Sequence, residues 1–323
     1  MSVGLDLGTT EFRSIRDSGG DLIARRCRTA YLVLKDNPGH RRLLASTQAH
    51  FGTCGGDLVV FGDDADECSM MLDLPVTPLL REGRLPSSDP VARQILALIA
   101  EAVLPVAGHP GETCCLTLPG GYALEGDTAS LDARYLKQLV ALRGYSPQLV
   151  SAGQSIVLAE LSDASFSGLG MSVGAVSCEV SVIHCGRELA RCTVLSPLMD
   201  LDNEFLCARR QIGSEEPKAA TVQLDWERNC QAMLTSILTE ARESLLEEGS
   251  IKLIPQPLRI ACAGGIVSAD GFSTALQQAW TASGWPFKLG QIRIASNPRF
   301  SVARGCLIKA ILENDSISHR QVA

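Results

Sequence analysis

Four residues near the start of the chain, Asp6, Gly8, Thr9 and Thr10, have the types and spacing needed to bind an anion. They lie in VGLDLGTTEFRSI, positions 3–15. A turn between two strands presents backbone N–H groups and hydroxyls, and glycine allows close approach because it has no Cβ. The carboxylate of Asp6 can hold a hydrated magnesium ion. A strand followed by an ordinary turn is the alternative, so the rest of the chain must decide.

A second stretch, GMSVGAVSCEVSVI at positions 170–183, repeats this plan. It places Gly174 between two strand-like segments and an acidic residue, Glu179, before the second of them. Compared by sequence, the second turn is two residues longer than the first. The repeat predicts two similar α/β halves that face one another.

The composition is that of a globular protein. The 323 residues are 46% hydrophobic and 20% charged, with a formal net charge of -7 and no long run of Lys or Arg. The chain is long enough for one large or two medium domains. We expect no signal peptide, and no apolar run approaches the roughly 18 residues that cross a bilayer. We therefore expect a cytoplasmic protein that does not bind nucleic acid.

The cysteines and histidines do not have the spacing of a metal site. Twelve cysteines are scattered, with one adjacent pair, Cys114 and Cys115, and no CxxC. This pattern favours buried free thiols in a reducing compartment over disulfides or zinc.

Strands and helices alternate so as to position the two turns. VGLDL, EFRSIR, DLIARR and TAYLVL predict an opening β-meander of four strands. Asp89 and Pro90 predict the start of a helix that Pro105 ends. The predicted elements that follow are a strand at 113–119, a helix that ends at Gly144, a β-rich block at 171–196, an amphipathic helix at 224–248, and the strands LRIACA and QIRIAS, each followed by a helix.

In this order the motifs resemble those of the actin-like ATPase superfamily, which includes actin, MreB and the nucleotide-binding domain of the large heat-shock chaperones. VGLDLGTT is similar to the first phosphate motif, and CLTLPGG to the family's strand that ends in proline. ACAGGIVSADGF is similar to the adenosine motif, and FSVARGCLIKA to the last connecting helix. The matches cover nearly the whole chain, and the pattern is most similar to MreB-like bacterial actins.

The resemblance implies an α/β, duplicated actin-like (ribonuclease H-like) fold whose two domains flank a nucleotide cleft. Domain I would span residues 1–146 with a small insertion at about 30–85, and domain II residues 147–323 with a reduced small subdomain at about 203–250. The implied cofactor is ATP or ADP with magnesium. Carried over by position, the nucleotide contacts fall on Asp6, Gly8, Thr9, Thr10, Gly174, Gly264, Gly265 and Ser268, with Asp6 at the metal. A Gly-Gly pair at a strand end also simply permits a tight turn.

The second turn departs from the family pattern Asp-Ile-Gly-Gly-Gly-Thr-Thr-Glu. Here residues 172–179 read SVGAVSCE, so Ser172 replaces the aspartate that orders magnesium and water. Val176 adds a side chain where glycine lets the backbone touch phosphate. Ala152 and Gly153 stand where relatives carry the glutamate that polarises the attacking water. The resemblance therefore implies at most a weak ATPase, and no catalytic residue is predicted.

Three functions remain open. The first is an MreB-like bacterial actin homologue, a cytoskeletal cell-shape filament protein that binds ATP weakly or statically and hydrolyses it poorly or not at all. The second is a monomeric actin-like pseudo-ATPase that acts as scaffold or adaptor for a division, pilus or envelope machine. The third, a small-molecule kinase of the same fold, is disfavoured by the short chain and by the absence of an Asp base at a matching acceptor site.

The expected partners follow from these functions: further copies of the chain, or an adaptor protein. Relatives touch the inner face of the membrane through an apolar loop, and TQAHFGTCGG (47–56) is the candidate for such peripheral contact. Its lone Phe51 favours an ordinary loop instead.

Overall fold

The computed structural model of the chain describes residues 2–81, 83–85, 89–119, 127–195, 216–247 and 250–322. The chain divides into two compact units, Met1–Gln148 and Leu149–Ala323. Each unit contains a five-stranded sheet that carries one of the two predicted turns.

The main sheet of the first unit is built around its first strand. Its order is β3-β2-β1-β8-β9, antiparallel from β1 to β3 and parallel between β1 and β8. The bounds are β1 (Val3–Leu7), β2 (Glu11–Ser18), β3 (Asp21–Arg28), β8 (Glu112–Thr117) and β9 (Tyr145–Leu149). β1 is buried throughout because it lies in the middle of the sheet.

Two helices follow the predicted signals of the first unit. α3 (Pro90–Val103) begins where predicted, because the carboxylate of Asp89 accepts hydrogen bonds from the N–H groups of Val91 and Ala92. Its apolar face joins the core beneath β1 and β8. α4 (Asp127–Leu142) ends just before Gly144, which adopts a positive φ of 90°.

The predicted four-stranded meander is wrong in its last strand. TAYLVL forms β4 (Ala30–Lys35), which leaves the main sheet and pairs with β6 and β7 in a second sheet of order β5-β6-β4-β7. This insertion has its own core because Leu32, Leu34 and Leu58 pack beneath its helices. The other elements are α1 (Pro38–Thr47), β5 (Phe51–Cys54), β6 (Asp57–Phe61), α2 (Asp63–Leu72) and β7 (Thr77–Pro78).

The stretch predicted as a loop, TQAHFGTCGG, is also different in the structure. It contains the end of α1 and the edge strand β5, which pairs with β6 through the turn at Gly55 and Gly56. Phe51 lies opposite Val60 and is 37% exposed. The segment is therefore part of a sheet, because β6 supplies the hydrogen bonds that a free loop lacks.

The second unit repeats the strand order of the first. Its sheet reads β12-β11-β10-β13-β14, antiparallel from β10 to β12 and parallel from β10 to β14. The bounds are β10 (Gly168–Val173), β11 (Ser177–His184), β12 (Arg187–Leu195), β13 (Leu258–Gly264) and β14 (Leu289–Ile294). Both sheets have two antiparallel strands on one side of the central strand and a parallel neighbour on the other, in the same order, which confirms the predicted duplication.

The described part of the second unit contains four α-helices: α5 (Ala152–Glu160), α6 (Glu216–Glu247), α7 (Phe272–Ala282) and α8 (Ser301–Val322). α6 starts earlier than predicted, and its buried residues Trp226, Cys230 and Leu234 pack in the same core as β10 to β13. Part of the predicted reduced subdomain at about 203–250 lies outside the described residues. Among those described between β12 and β13 there is no strand.

Candidate functional site

The first predicted anion site is a three-residue turn between β1 and β2. Asp6 pairs with Arg13 and Leu7 with Phe12, so that Gly8, Thr9 and Thr10 connect the strands. A Cβ on Gly8 would lie 2.8 Å from the carbonyl oxygen of Glu11. The turn itself therefore requires glycine at this position, whether or not a ligand binds.

Asp6, the predicted metal ligand, already has two partners. Its Oδ1 accepts from the hydroxyl of Thr117 at 3.0 Å, and its Oδ2 lies 3.3 Å from Nη1 of Arg13. Burial raises the pKa of Asp6, and the charge of Arg13 opposes this effect. One carboxylate that an arginine already neutralises does not fit a magnesium ion held by the protein alone.

Arg13 is a site residue that the sequence analysis missed. Its Nη2 and Nε bond to Oε2 of Glu11 at 2.7 and 3.0 Å. Glu11 also pairs with Arg26, which reaches Asp63 at the start of α2. The signal was present in the sequence: once Leu7 is paired with Phe12, the residue opposite Asp6 is Arg13.

The second predicted turn has the same length as the first, which corrects the sequence comparison. Ser172 pairs with Glu179 and Val173 with Cys178, and residues 174–176 make the turn. The N–H of Gly174 donates to the carbonyl of Ser177 at 2.9 Å, and a Cβ on Gly174 would lie 3.0 Å from that oxygen. Gly174 thus occupies the same place as Gly8.

This equal register aligns the other residues of the two turns. Ala175 and Val176 stand where the first turn has Thr9 and Thr10, and Ser172 stands where it has Asp6. The second turn therefore lacks both hydroxyls. Its one acidic residue, Glu179, lies on the opposite strand, at the position that Arg13 occupies in the first turn.

The carboxylate of Glu179 caps the start of helix α5. Its Oε1 accepts from the N–H of Gly153 at 2.7 Å, and burial raises the pKa of Glu179 while this bond opposes the rise. Ser151 completes the cap by accepting from the N–H of Gln154 at 3.1 Å. The carboxylate thus satisfies a helix N-terminus instead of lying free at the turn.

Helix α5 begins in direct backbone contact with β10. A Cβ on Gly153 would lie 2.5 Å from Oγ of Ser181, and a Cβ on Gly170 would lie 2.0 Å from the carbonyl oxygen of Gly153. No larger side chain fits at position 153 without moving the helix. At the other end of α5, the buried Glu160 accepts from Ser301 and pairs with Arg304 at 2.6 Å.

The two glycines at the end of β13, Gly264 and Gly265, have different surroundings. Gly264 has a φ of +131°, and its Cβ would lie 2.0 Å from the carbonyl oxygen of Val173 on β10. Gly265 is exposed, has a helical φ of -64°, and its Cβ would meet no described atom within 4 Å. Ser268, also exposed, ends the short 3-10 turn that follows.

The structure groups the predicted residues within each unit. In the first unit the turn follows β1, whose parallel neighbour β8 supplies Thr117 to Asp6. In the second unit Gly174 and Gly265 follow paired residues at the carboxyl ends of β10 and β13. Carboxyl ends of parallel strands are where ligands bind in α/β sheets.

Among the residues that the structure describes, no group of three or more His, Cys, Asp or Glu side chains could hold a metal ion. Eleven cysteines lie in these ranges and all are free, as predicted for them. No helix in the same ranges is long and apolar enough to pass through a bilayer.

Solved structures share this architecture. A non-polymerising MamK mutant bound to AMPPNP matches with a TM-score of 0.56 at 16% identity, covering 96% of this chain and 98% of that chain. A MamK double helical filament matches with a TM-score of 0.61 at 15% identity and the same coverage. The ethanolamine utilization protein EutJ from Carboxydothermus hydrogenoformans gives 0.45 at 17% identity, covering 95% and 88%.

The two MamK likenesses confirm the predicted actin-like fold. Residues 1–310 match the family described as Volactin, and the chain belongs to that family. Among curated proteins, none matches the chain significantly.

Proposed function

We propose that this chain is an actin-like filament protein that binds nucleotide through its first turn and hydrolyses it poorly or not at all. The proposal rests on the hydroxyl groups of the two threonines in this turn. Thr9 and Thr10 are half-buried, and no described residue forms a hydrogen bond with either hydroxyl. The twin turn has Ala175 and Val176 at these positions, so the duplicated fold does not need the hydroxyls.

Gly265 supports a nucleoside contact in the second unit. Gly8, Gly174 and Gly264 are each explained by a nearby carbonyl oxygen, whereas nothing described lies close to a Cβ at Gly265. A glycine without a packing reason, exposed beyond a strand end, is suited to close approach by a ligand. We take Ser268 as its polar neighbour.

Poor hydrolysis follows from the carboxylates. Ser172 and Ala152 carry none, Glu179 binds the start of α5, and Asp6 is neutralised by Arg13. Glu11 pairs with Arg13 and Arg26, so no carboxylate that the structure describes beside either turn is free to orient an attacking water. Magnesium would arrive on the nucleotide phosphates, since the described residues form no cluster of metal ligands.

The similar solved structures favour association of this chain with further copies of itself. The MamK structures are described as a double helical filament and as a non-polymerising mutant bound to AMPPNP, a nucleotide analogue. By this likeness we propose assembly of the present chain into cytoplasmic filaments, with an MreB-like role in cell shape as the finer proposal.

A monomeric adaptor is the second candidate. The observation in its favour is the asymmetry of the units: the first contains a four-stranded insertion, while the described part between β12 and β13 is a helix and a 3-10 turn. The sequence predicts a reduced subdomain here, and we propose that it offers less surface for contacts between copies.

Electron microscopy and phosphate release test the proposal together. The purified protein is imaged with Mg-ATP, with ADP and without nucleotide, and phosphate release is followed in the same samples. Filaments with little phosphate release support the proposal. Single particles in all three states would favour the adaptor, and sustained phosphate release would overturn the hydrolysis part.

A variant pair assigns nucleotide binding to the first turn. Thr10→Val, which removes one of the two hydroxyls and copies Val176 of the twin turn, should reduce the ATP-induced rise in melting temperature, which at a hundredfold excess over Kd corresponds to about 2.7 kcal/mol. Thr53→Val, at an exposed threonine on β5 of the insertion, is the matched control and should keep the rise. If ATP does not raise the melting temperature of the wild-type protein, the proposed nucleotide binding is wrong.

A further inference from the structure

The carbonyl groups of the first turn converge on one buried residue, Thr29, between β3 and β4. Thr29 is 2% exposed. Its backbone N–H donates to the carbonyl of Thr10 at 3.0 Å, and its hydroxyl donates to the carbonyl of Thr9. One residue thus binds two successive carbonyls of a three-residue turn.

These two bonds determine which way the turn presents its N–H groups. The peptide bond is planar and trans here, so its C=O and N–H point in opposite directions. Because the carbonyl of Thr9 points towards Thr29, the N–H of Thr10 in the same peptide group points away from it. That N–H is a donor of the kind that an anion uses.

We propose that Thr29 is a positioning residue for the anion site of the first turn. The inference rests on the proposed nucleotide binding and adds a residue to it. Without the Thr29 hydroxyl, the peptide group between Thr9 and Thr10 loses the bond that holds its orientation. A turn that must be ordered on binding binds more weakly than one already in place.

Thr29 is itself held by the segment that leaves the insertion. Its carbonyl accepts from the N–H of Leu79, just after β7, and the carbonyl of the next residue, Ala30, accepts from the N–H of Gly62, just after β6. Thr29 therefore cannot move without breaking its bond to Leu79. The turn takes its rigidity from the insertion through this residue.

The residue type suits the task. A β-branched side chain has few χ1 rotamers, so the buried hydroxyl of Thr29 remains directed at Thr9. Valine has nearly the same shape and no donor. Serine keeps the donor and loses the branching methyl group.

The test compares three variants by melting temperature, without nucleotide and over a series of Mg-ATP concentrations that gives an apparent Kd. Thr29→Val removes the hydroxyl, and Thr29→Ser retains it. Ser14→Ala is the matched control, because the Ser14 hydroxyl is also buried and donates to a backbone carbonyl, that of Val103, away from the turn. Both Thr29→Val and Ser14→Ala should lower the melting temperature without nucleotide.

Only Thr29→Val should also weaken ATP binding, by about tenfold, equivalent to about 1.4 kcal/mol. Thr29→Ser should restore most of the affinity. If Thr29→Val binds ATP as the wild type does, Thr29 has no positioning role, and the proposed function stands. If Thr29→Val does not fold, Thr29→Ala, which also lacks the hydroxyl, takes its place: weaker ATP binding than in Thr29→Ser supports the proposal, and equal binding overturns it. A wild type that does not respond to ATP refutes the proposed function itself.

Discussion

Replacing the adjacent glycines Gly264 and Gly265 by alanine should have opposite effects on stability. At Gly264 the new Cβ would lie 2.0 Å from the carbonyl oxygen of Val173, and φ is +131°. Overpacking costs roughly 1–3 kcal/mol and a left-handed φ about 1–2 kcal/mol, so Gly264→Ala should lower the free energy of unfolding by about 2–5 kcal/mol.

At Gly265 the same substitution meets open space and a φ of -64°. Alanine at such a position restricts the unfolded chain, so Gly265→Ala should raise the free energy of unfolding by about 0.4–1 kcal/mol. If the backbone of Gly265 approaches a nucleoside closely, the added methyl group should nevertheless reduce ATP binding. The variant would then be more stable and bind less.

Tryptophan fluorescence is a suited assay, because Trp226, Trp280 and Trp285 all lie in the unit that contains both glycines. At about 2–4 °C per kcal/mol, Gly264→Ala should melt about 4–20 °C below the wild type and Gly265→Ala about 1–4 °C above it. A neutral Gly264→Ala would refute the steric reasoning. A Gly265→Ala variant that binds ATP like the wild type would refute the nucleoside contact.

Three further predictions concern buried ionisable groups. Arg13→Met should destabilise the first unit by about 3 kcal/mol by leaving Asp6 and Glu11 without this cation. The loss should shrink towards low pH, because burial raises the pKa of Asp6 and stability falls as pH rises through that pKa. Glu179→Ala should cost about 1–3 kcal/mol by orphaning the N–H of Gly153, and Glu179→Gln less; thermal melts compare the two. Burial raises the pKa of Cys262 from 9.0 to about 12, so the unfolded thiol ionises first and the free energy of unfolding falls as pH rises above 9.0. This thiol contributes a fall of up to about 1.4 kcal/mol per pH unit, which Cys262→Ala should lack; urea titrations at several pH values measure the difference.

The pattern of motifs predicted the fold because the repeat is visible in short local stretches. Gly8 and Gly174 mark the two turns, and helix starts such as Asp89 are local signals that the structure retains. The fourth strand was misassigned because an apolar stretch does not say which sheet it joins. β4 joins the insertion because β6, nearly 30 residues further along, provides its partner strand.

The site was less accessible from sequence, since its decisive contacts join distant residues. Thr117 lies 111 positions from Asp6, and Gly153 lies 26 positions from Glu179. The error in the length of the second turn arose from counting to the acidic residue in each stretch. Glu11 and Glu179 are not equivalent. Glu179 lies opposite Ser172, which is the position of Arg13 opposite Asp6, whereas Glu11 lies two residues closer to its turn than Arg13.

The structural duties of each residue explain why one turn keeps its polar groups and the other does not. Both turns keep glycine, and in each a Cβ would lie close to a carbonyl oxygen, at 2.8 Å for Gly8 and 3.0 Å for Gly174. Asp6 and its partners stabilise the first unit, and Glu179 stabilises α5 in the second. Among the described site residues, the fold does not explain two features: the hydroxyls of Thr9 and Thr10, and the absence of a side chain at Gly265. We propose a bound ligand as the reason for these features, because the twin turn shows that a hairpin of equal length forms without the hydroxyls.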